Sequence, residues 1–340
     1  MESTREKLAI TRQTLWRLLV HEADFLWVIL TYGVGISLLT LAVPVAVQYL
    51  INTIINIGSF RAVAVLAITL FIILIASGLL SALRMWVVER YERRVFARLT
   101  SDIAFRLIAA QKAFFTDPKN AGLSTRYFEI LLLQKNVPYL VLDGFALVLQ
   151  AAVGFTLVSF YHPWLFVFNA IVVLTVLAIW RLWATGAKNT AILRSKEKYR
   201  TAAWLSQLEG VSPSTSQQDL DSIIQESDFR IAQFIDAHRN HFRYTFPQAL
   251  SFLALYAIGS AGLLGLGGWL VTRGLLSIGQ LVAAELVMAS IFLGLSRFST
   301  YLKAYYELYG VADKIGEVLN IPIANTVAQS DPATSFQSPR

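Results

Sequence analysis

The sequence predicts an all-α polytopic membrane protein with six transmembrane helices and long cytoplasmic helical extensions. Three observations predict it. The 340 residues are 56% hydrophobic and 15% charged, with mean hydropathy +0.55, whereas soluble domains carry about 25% charged residues. Charge is excluded from runs long enough to cross a hydrocarbon core of about 30 Å. The basic residues lie almost entirely on one side of those runs.

Residues 1–24 carry Arg5, Lys7, Arg12 and Arg17 and no long apolar stretch. They are expected to form a cytoplasmic elbow segment, with no cleavable signal peptide. Residues 25–60 contain no charge, which places the first crossing at about 25–50 and an outer turn at Asn52, Asn56 and Gly58. The charge-free run 62–83 is the second crossing. Residues 144–180 are charge-free over 37 positions, long enough for two crossings. Tyr161-His162-Pro163 divides them, because proline starts helices well and interrupts them badly. Residues 244–272 give the fifth crossing, Arg273-Gly274 a turn, and residues from Ser277 the sixth.

The orientation follows from Lys and Arg. Of these 29 residues, 27 lie in the N-terminal segment, the loops 84–136 and 181–247 and the region from Arg297 onward. Only Arg61 and Arg273 lie on the outer turns. Both termini and both long loops are therefore expected in the cytoplasm of a cell-membrane protein, the inner membrane if the cell is Gram-negative.

The two long loops read as helices. Between Leu79 and Asp117 there is neither Gly nor Pro, so the second helix is expected to continue to residue 112, roughly 75 Å in all. Arg90, Arg93, Arg94 and Arg98 share one face and read as a solvated face, with Glu89 placed to pair with Arg93; a nucleic-acid partner is not expected. The expected helices are 25–50, 62–112, 123–160, 163–208, 219–272 and 277–318 within a membrane domain 25–322, followed by a disordered tail 323–340. Phe114 and Phe115 fall at a hairpin tip. Adjacent aromatics there either pack on a neighbouring helix of the same chain or dock a second protein.

The layout and the local sequence resemble the transmembrane domain of type I ATP-binding-cassette (ABC) exporters. Phe114, Phe115, Gly122, Leu123 and Arg126 are similar to that family's first coupling-helix pattern. Arg273–Leu281 resembles the start of its sixth helix, and Ala312–Leu319 the stretch leading to its ATPase domain. The resemblance implies a permease subunit that couples to an ATPase through Phe114, Phe115, Asp117, Gly122, Arg126, Leu208, Glu209 and Gly210. It also implies a homodimer or a heterodimer with a related membrane domain, around a path for a substrate the sequence does not identify. The usual second coupling helix is replaced by a Ser/Pro-containing insert at Val211–Gln218. No GxxxxGK[ST] phosphate loop occurs, so ATP and Mg are expected on a separate or removed ATPase, and no cofactor in this chain. Leu276-Ser277-Ile278-Gly279-Gln280 resembles an ATPase signature but sits at an outer turn.

Within the membrane domain, Glu285 stands about a third of the way into the sixth helix. An ionisable group there is costly in lipid and is expected to face a cavity or a partner, as a substrate or gating residue or as a residue of a wet vestibule. Arg84 and Arg297 stand low in the second and sixth helices, where basic side chains reach the interface. Asp143, low in the third, is a partner for either. These four are the substrate-path candidates. His238 and His241 are too few for a metal site, and the Gly262, Gly265, Gly267 and Gly268 series permits close helix approach. No nucleophile with a base and no carboxylate pair indicates catalysis. A non-transporting scaffold that holds a partner protein is the alternative function.

Overall fold

The computed structural model describes residues 2–40, 42–56, 60–111, 114, 123–208 and 217–322. The described residues contain α1 (Glu2–Val20), α2 (Ala23–Thr40), α3 (Ala42–Asn56), α4 (Phe60–Ala109), α5 (Phe128–Tyr139), α6 (Phe145–Ser159), α7 (Pro163–Leu208), α8 (Gln217–Thr272) and α9 (Ile278–Leu319), and no strand. Six segments are long and apolar enough to cross a membrane: Ala23–Ile51, Val63–Ala109, Leu123–Ser159, Pro163–Leu208, Asp219–Thr272 and Ile278–Leu319. The charge-free stretches within them, such as 62–83 of α4, 163–180 of α7 and 244–272 of α8, are the parts suited to a hydrocarbon core.

One of the six is less regular than the sequence suggests. The first candidate span, Ala23–Ile51, takes in α2 and α3, with residue 41 outside the described residues. The third begins with a 3-10 turn at Leu123–Tyr127 and passes through a π-helical turn at Leu140–Gly144. That π turn follows Pro138, which lies inside α5 and cannot donate to the helix ladder. Insertions of this kind re-aim side chains and cluster at functional sites.

The turn between α8 and α9 is built from local chemistry. Gly274 has φ 70°, Gly274 N–H donates to Val271 O and Leu275 N–H to Leu270 O, which is a Schellman end. Ser277 Oγ then accepts from Gln280 N–H while Gln280 Oε1 accepts from Ser277 N–H. The signature-like string is thus a capping box that starts α9.

α9 is the spine. Its first half packs with α6, α7 and α8 in a core that includes Leu165, Phe252, Leu263, Met288, Ile291 and Phe292. Its second half packs with α1, α4 and α5 in a second core that includes Leu15, Tyr91, Leu99, Ile130, Val311 and Ile315. This second end also gathers α1 and the polar parts of α4, α7 and α8, and is called the charged end below. Of the α8 glycines, Gly267 and Gly262 do approach neighbours: an added Cβ would lie 2.4 Å from Leu281 and 3.3 Å from Phe168. Gly265 and Gly268 face open space, and Gly259 makes a further close approach, with an added Cβ 2.6 Å from the buried Phe292 ring.

The arginine face of α4 is not simply solvated. Glu22, in the α1–α2 turn and only 1% exposed at its side chain, lies 2.9 Å from Arg98 Nε and 3.3 Å from Arg94 Nε. A buried carboxylate needs such partners, and the pairing anchors the start of α2 on α4. Burial and the Glu22 charge raise the Tyr91 hydroxyl pKa beside them. Arg93 pairs with Glu89 one turn away, and Arg90 lies 3.8 Å over the Trp86 ring.

Candidate functional site

The uncovered faces of the apolar helices differ in kind. On the apolar stretch of α4 the exposed large side chains include Val65, Ile68, Phe71, Ile72, Ile75 and Leu79, a surface suited to lipid. On α9 the uncovered face carries Leu286, Ala289, Leu293, Arg297, Thr300 and Lys303 exposed, with Glu285 and Ser296 half-buried. The face is mixed: Glu285, Ala289, Ser296, Thr300 and Lys303 recur at i, i+4, i+11, i+15 and i+18 along one edge of it. Leu286 and Leu293 lie within the same face. The polar edge is suited to water or to a partner, because ionisable groups are expensive against hydrocarbon.

Two of the four substrate-path candidates meet. Arg84 Nη1 lies 3.9 Å from Asp143 Oδ1, so Asp143 selects Arg84 and not Arg297. The contact is an ion pair without a short hydrogen bond, and both side chains keep some exposure. The π-helical turn carries Asp143, and the neighbouring Gly144 lies beside the Tyr301 ring of α9, where an added Cβ would stand 3.9 Å from it. Tyr301 stacks at 5.0 Å on Tyr139, one turn before Asp143. A carboxylate, a guanidinium and two phenols therefore share one region between α4, α6 and α9.

The other two stand apart. Arg297 is exposed. Glu285 lies half-buried more than three turns nearer the α8–α9 turn, with its Oε2 covered and unpartnered in the described structure. Close to Glu285 in sequence, Ser290 Oγ accepts a hydrogen bond from Gln150 on α6.

The charged end is a seam of ion pairs joining α5, α7 and α9. Arg126 Nε donates to Glu317 Oε2 at 3.0 Å, and its guanidinium lies 3.9 Å over the Tyr199 ring. Lys198 donates to the buried Glu129. Arg194 donates to Glu307 Oε1, whose Oε2 accepts from Asn136. Burial, then the Glu129 carboxylate, raises the Tyr199 hydroxyl pKa. Of these groups, Glu129, Arg194, Lys198 and Glu307 border a cavity of about 280 Å³, together with Ser195, Phe234 and His238. His241, on the next turn of α8, sits with Nδ1 3.0 Å from Thr190 Oγ1 of α7. Burial, helped by the nearby Arg194 and His238, pulls its imidazole pKa down to about 4. It is a packing group, and no cluster of three metal-ligating residues occurs among the described residues.

Of the expected coupling residues, Phe114 is half-buried against the chain's own second core. Its N–H donates to Gln111 O, and Gln111 N–H donates to Pro322 O, so this hairpin is fastened to the end of the membrane domain. Arg126 braces not only its own turn but the last turn of α9. Leu208 ends α7. Phe115, Asp117, Gly122, Glu209, Gly210, the insert 211–216 and the tail 323–340 lie outside the described residues. The seam partners Glu129, Lys198, Glu307 and Glu317 went unmarked in the sequence. They fall on four separate turns, and only the helical phase of buried acids on α5 and α9 hints at them.

No protein-family model matches the chain, and no curated protein matches it.

Proposed function

We propose that the chain is the permease subunit of an ATP-driven exporter of the ABC type, lying in the cell membrane with both termini in the cytoplasm and working as a dimer with a separate or removed ATPase. The observation that carries the reading is the polar edge of the uncovered face of α9, with half-buried Glu285 and Ser296 and exposed Thr300 and Lys303, which suits the wall of a shared aqueous path better than lipid. The unbroken course of α4, α7 and α8 from apolar stretch to polar extension supports coupling. Such helices act as levers, so that displacement at the charged end moves the segments in the membrane. Asp143, carried by the π turn, and Arg84 of α4 are the substrate-facing pair of this path; ATP and Mg belong to the partner.

The chain contains no cysteine, which makes the path testable by single-cysteine labelling. Glu285→Cys and Thr300→Cys should react with a membrane-impermeant thiol reagent, with Ile72→Cys on α4 as the lipid-facing control. Protection of both α9 positions, with and without an ATP-hydrolysing partner, would remove the path. ATP hydrolysis by the complex captured from native membranes, stimulated by this subunit, tests the coupling.

A second reading is a non-transporting scaffold that keeps this architecture and holds a partner protein. The seat of Phe114 on its own chain favours it, because that ring is not left open as a docking anchor. Labelled α9 positions without any bound ATPase activity would select the scaffold.

A further inference from the structure

A groove between α6, α7 and α9 runs toward a lysine with no acidic partner, and we propose that it holds one anionic phospholipid, with an acyl chain in the groove and the phosphate at Lys188. The groove measures about 330 Å³ and is lined by apolar and aromatic side chains, among them Ala152 and Phe155 of α6, Leu177 and Trp180 of α7, and Leu295 and Leu302 of α9. It opens sideways past the exposed Val148 and Leu177. Such a lining offers nothing to the polar backbone of a peptide but matches a hydrocarbon chain.

The polar end is set by Lys188. Its ammonium lies 5.0 Å from the Tyr309 ring, 5.1 Å from Tyr305 and 5.9 Å from Trp180. Three rings within cation–π range hold the ammonium in place, yet they carry no net charge. Further along α7, Arg194, Lys198 and Arg200 each have a glutamate. Lys188 forms no ion pair with Asp or Glu among the described residues. Its countercharge is left to a ligand.

Groove and lysine form one continuous track. Trp180 belongs to both. Positions 176, 180, 184 and 188 repeat every four residues along α7, and 295, 298, 302, 305 and 309 follow one face of the parallel α9. From Val173 to Lys188 the track is about 22 Å long, roughly half the thickness of a bilayer with its headgroups. Helical side chains lean toward the N-terminus, so the ammonium reaches back from residue 188 toward the end of the charge-free stretch at 180. That is the depth of a lipid phosphate. The inference needs the membrane placement of the six helices and is independent of the exporter reading.

The test uses the delipidated full chain in detergent, titrated with dioleoylphosphatidylglycerol or dioleoylphosphatidylcholine and read as adducts by native mass spectrometry. The wild-type chain should take up one phosphatidylglycerol more tightly than phosphatidylcholine. Lys188→Gln should weaken the phosphatidylglycerol adduct about fivefold and leave phosphatidylcholine unchanged. Ala152→Phe, which fills the groove from an exposed position, should weaken both. Equal phosphatidylglycerol binding by wild type and Lys188→Gln, unchanged binding by Ala152→Phe, or competition by glycerol 3-phosphate as strong as that of the lipid would each overturn the proposal. The last result would mark a site for free anions. Melting temperature in the same detergent identifies any variant that has lost its fold, in which case the other variant decides.

Discussion

Arg126 Nε donates to Glu317 Oε2 at 3.0 Å across 191 residues of sequence. The pair closes the charged end of the fold: it joins the 3-10 turn before α5 to the last turn of α9, with the Tyr199 ring of α7 stacked beneath the guanidinium. Lys314 also donates to Glu317, so removing Arg126 leaves one cation on the carboxylate. Arg126→Ala should therefore destabilise the chain by about 1.5–3 kcal/mol, the range for a hydrogen bond to a charged group. Arg126→Lys should recover only part, since lysine lacks the planar face that stacks on Tyr199. Unfolding monitored in a fixed detergent measures both, and wild-type stability for Arg126→Ala would contradict the bracing role.

The Arg84–Asp143 pair predicts a non-additive double substitution. Either Arg84→Gln or Asp143→Asn alone leaves a single charge between packed helices, which is costlier than removing both. Each single variant should lower the monodisperse yield and melting temperature, and the double variant should lie above either single one. Additive losses would mean that the two groups are each solvated separately. If the chain is the proposed permease, transport should be lost in the double variant even where stability returns, because the pair is the one proposed to meet the substrate.

Close packing of α8 on α9 predicts a specific steric penalty. A methyl group at Gly259 would stand 2.6 Å from the Phe292 ring, which is fully buried and has no room to turn aside. Gly259→Ala should cost about 1–3 kcal/mol from overpacking, and Phe292→Leu in the same chain should return part of it. Gly265→Ala, which meets nothing within 4 Å, serves as the control and should be neutral or slightly stabilising through helix propensity.

His241 predicts a direction with pH. Its folded pKa lies at about 4 against an ordinary 6.5. The unfolded chain therefore binds a proton first as pH falls. The stability from this group is complete above pH 6.5 and is lost progressively down to about 4. Melting temperature should fall through that window, and His241→Asn should flatten the part of the fall that belongs to this site. An unchanged pH profile in the variant would assign the fall to other groups.

The sequence alone determined the solvent of each helix. Runs without charge, such as 62–83 and 144–180, marked the apolar stretches, and the break at Tyr161-His162-Pro163 divided the long one, because hydration of charge and the missing proline donor act locally. The regular helix expected at 123–160 was less legible. The π turn after Pro138 depends on how neighbouring helices absorb a lost hydrogen bond, which no single segment records. Local chemistry also fixed the α8–α9 turn, though Ser277 and Gln280 proved to be a cap.

Only the tertiary structure decided which charges meet. Asp143 had two arginines within reach by sequence and chose Arg84; Arg94 and Arg98 read as solvated and found Glu22; Arg126 met Glu317 from the other end of the chain. The physical reason is the same in each case. A hydrocarbon run is recognised by its own composition, whereas an ion pair exists only when packing brings two distant turns within a few ångströms at the right phase. That phase is set by cores built around α9, from residues whose sequence positions carry no sign of their partners.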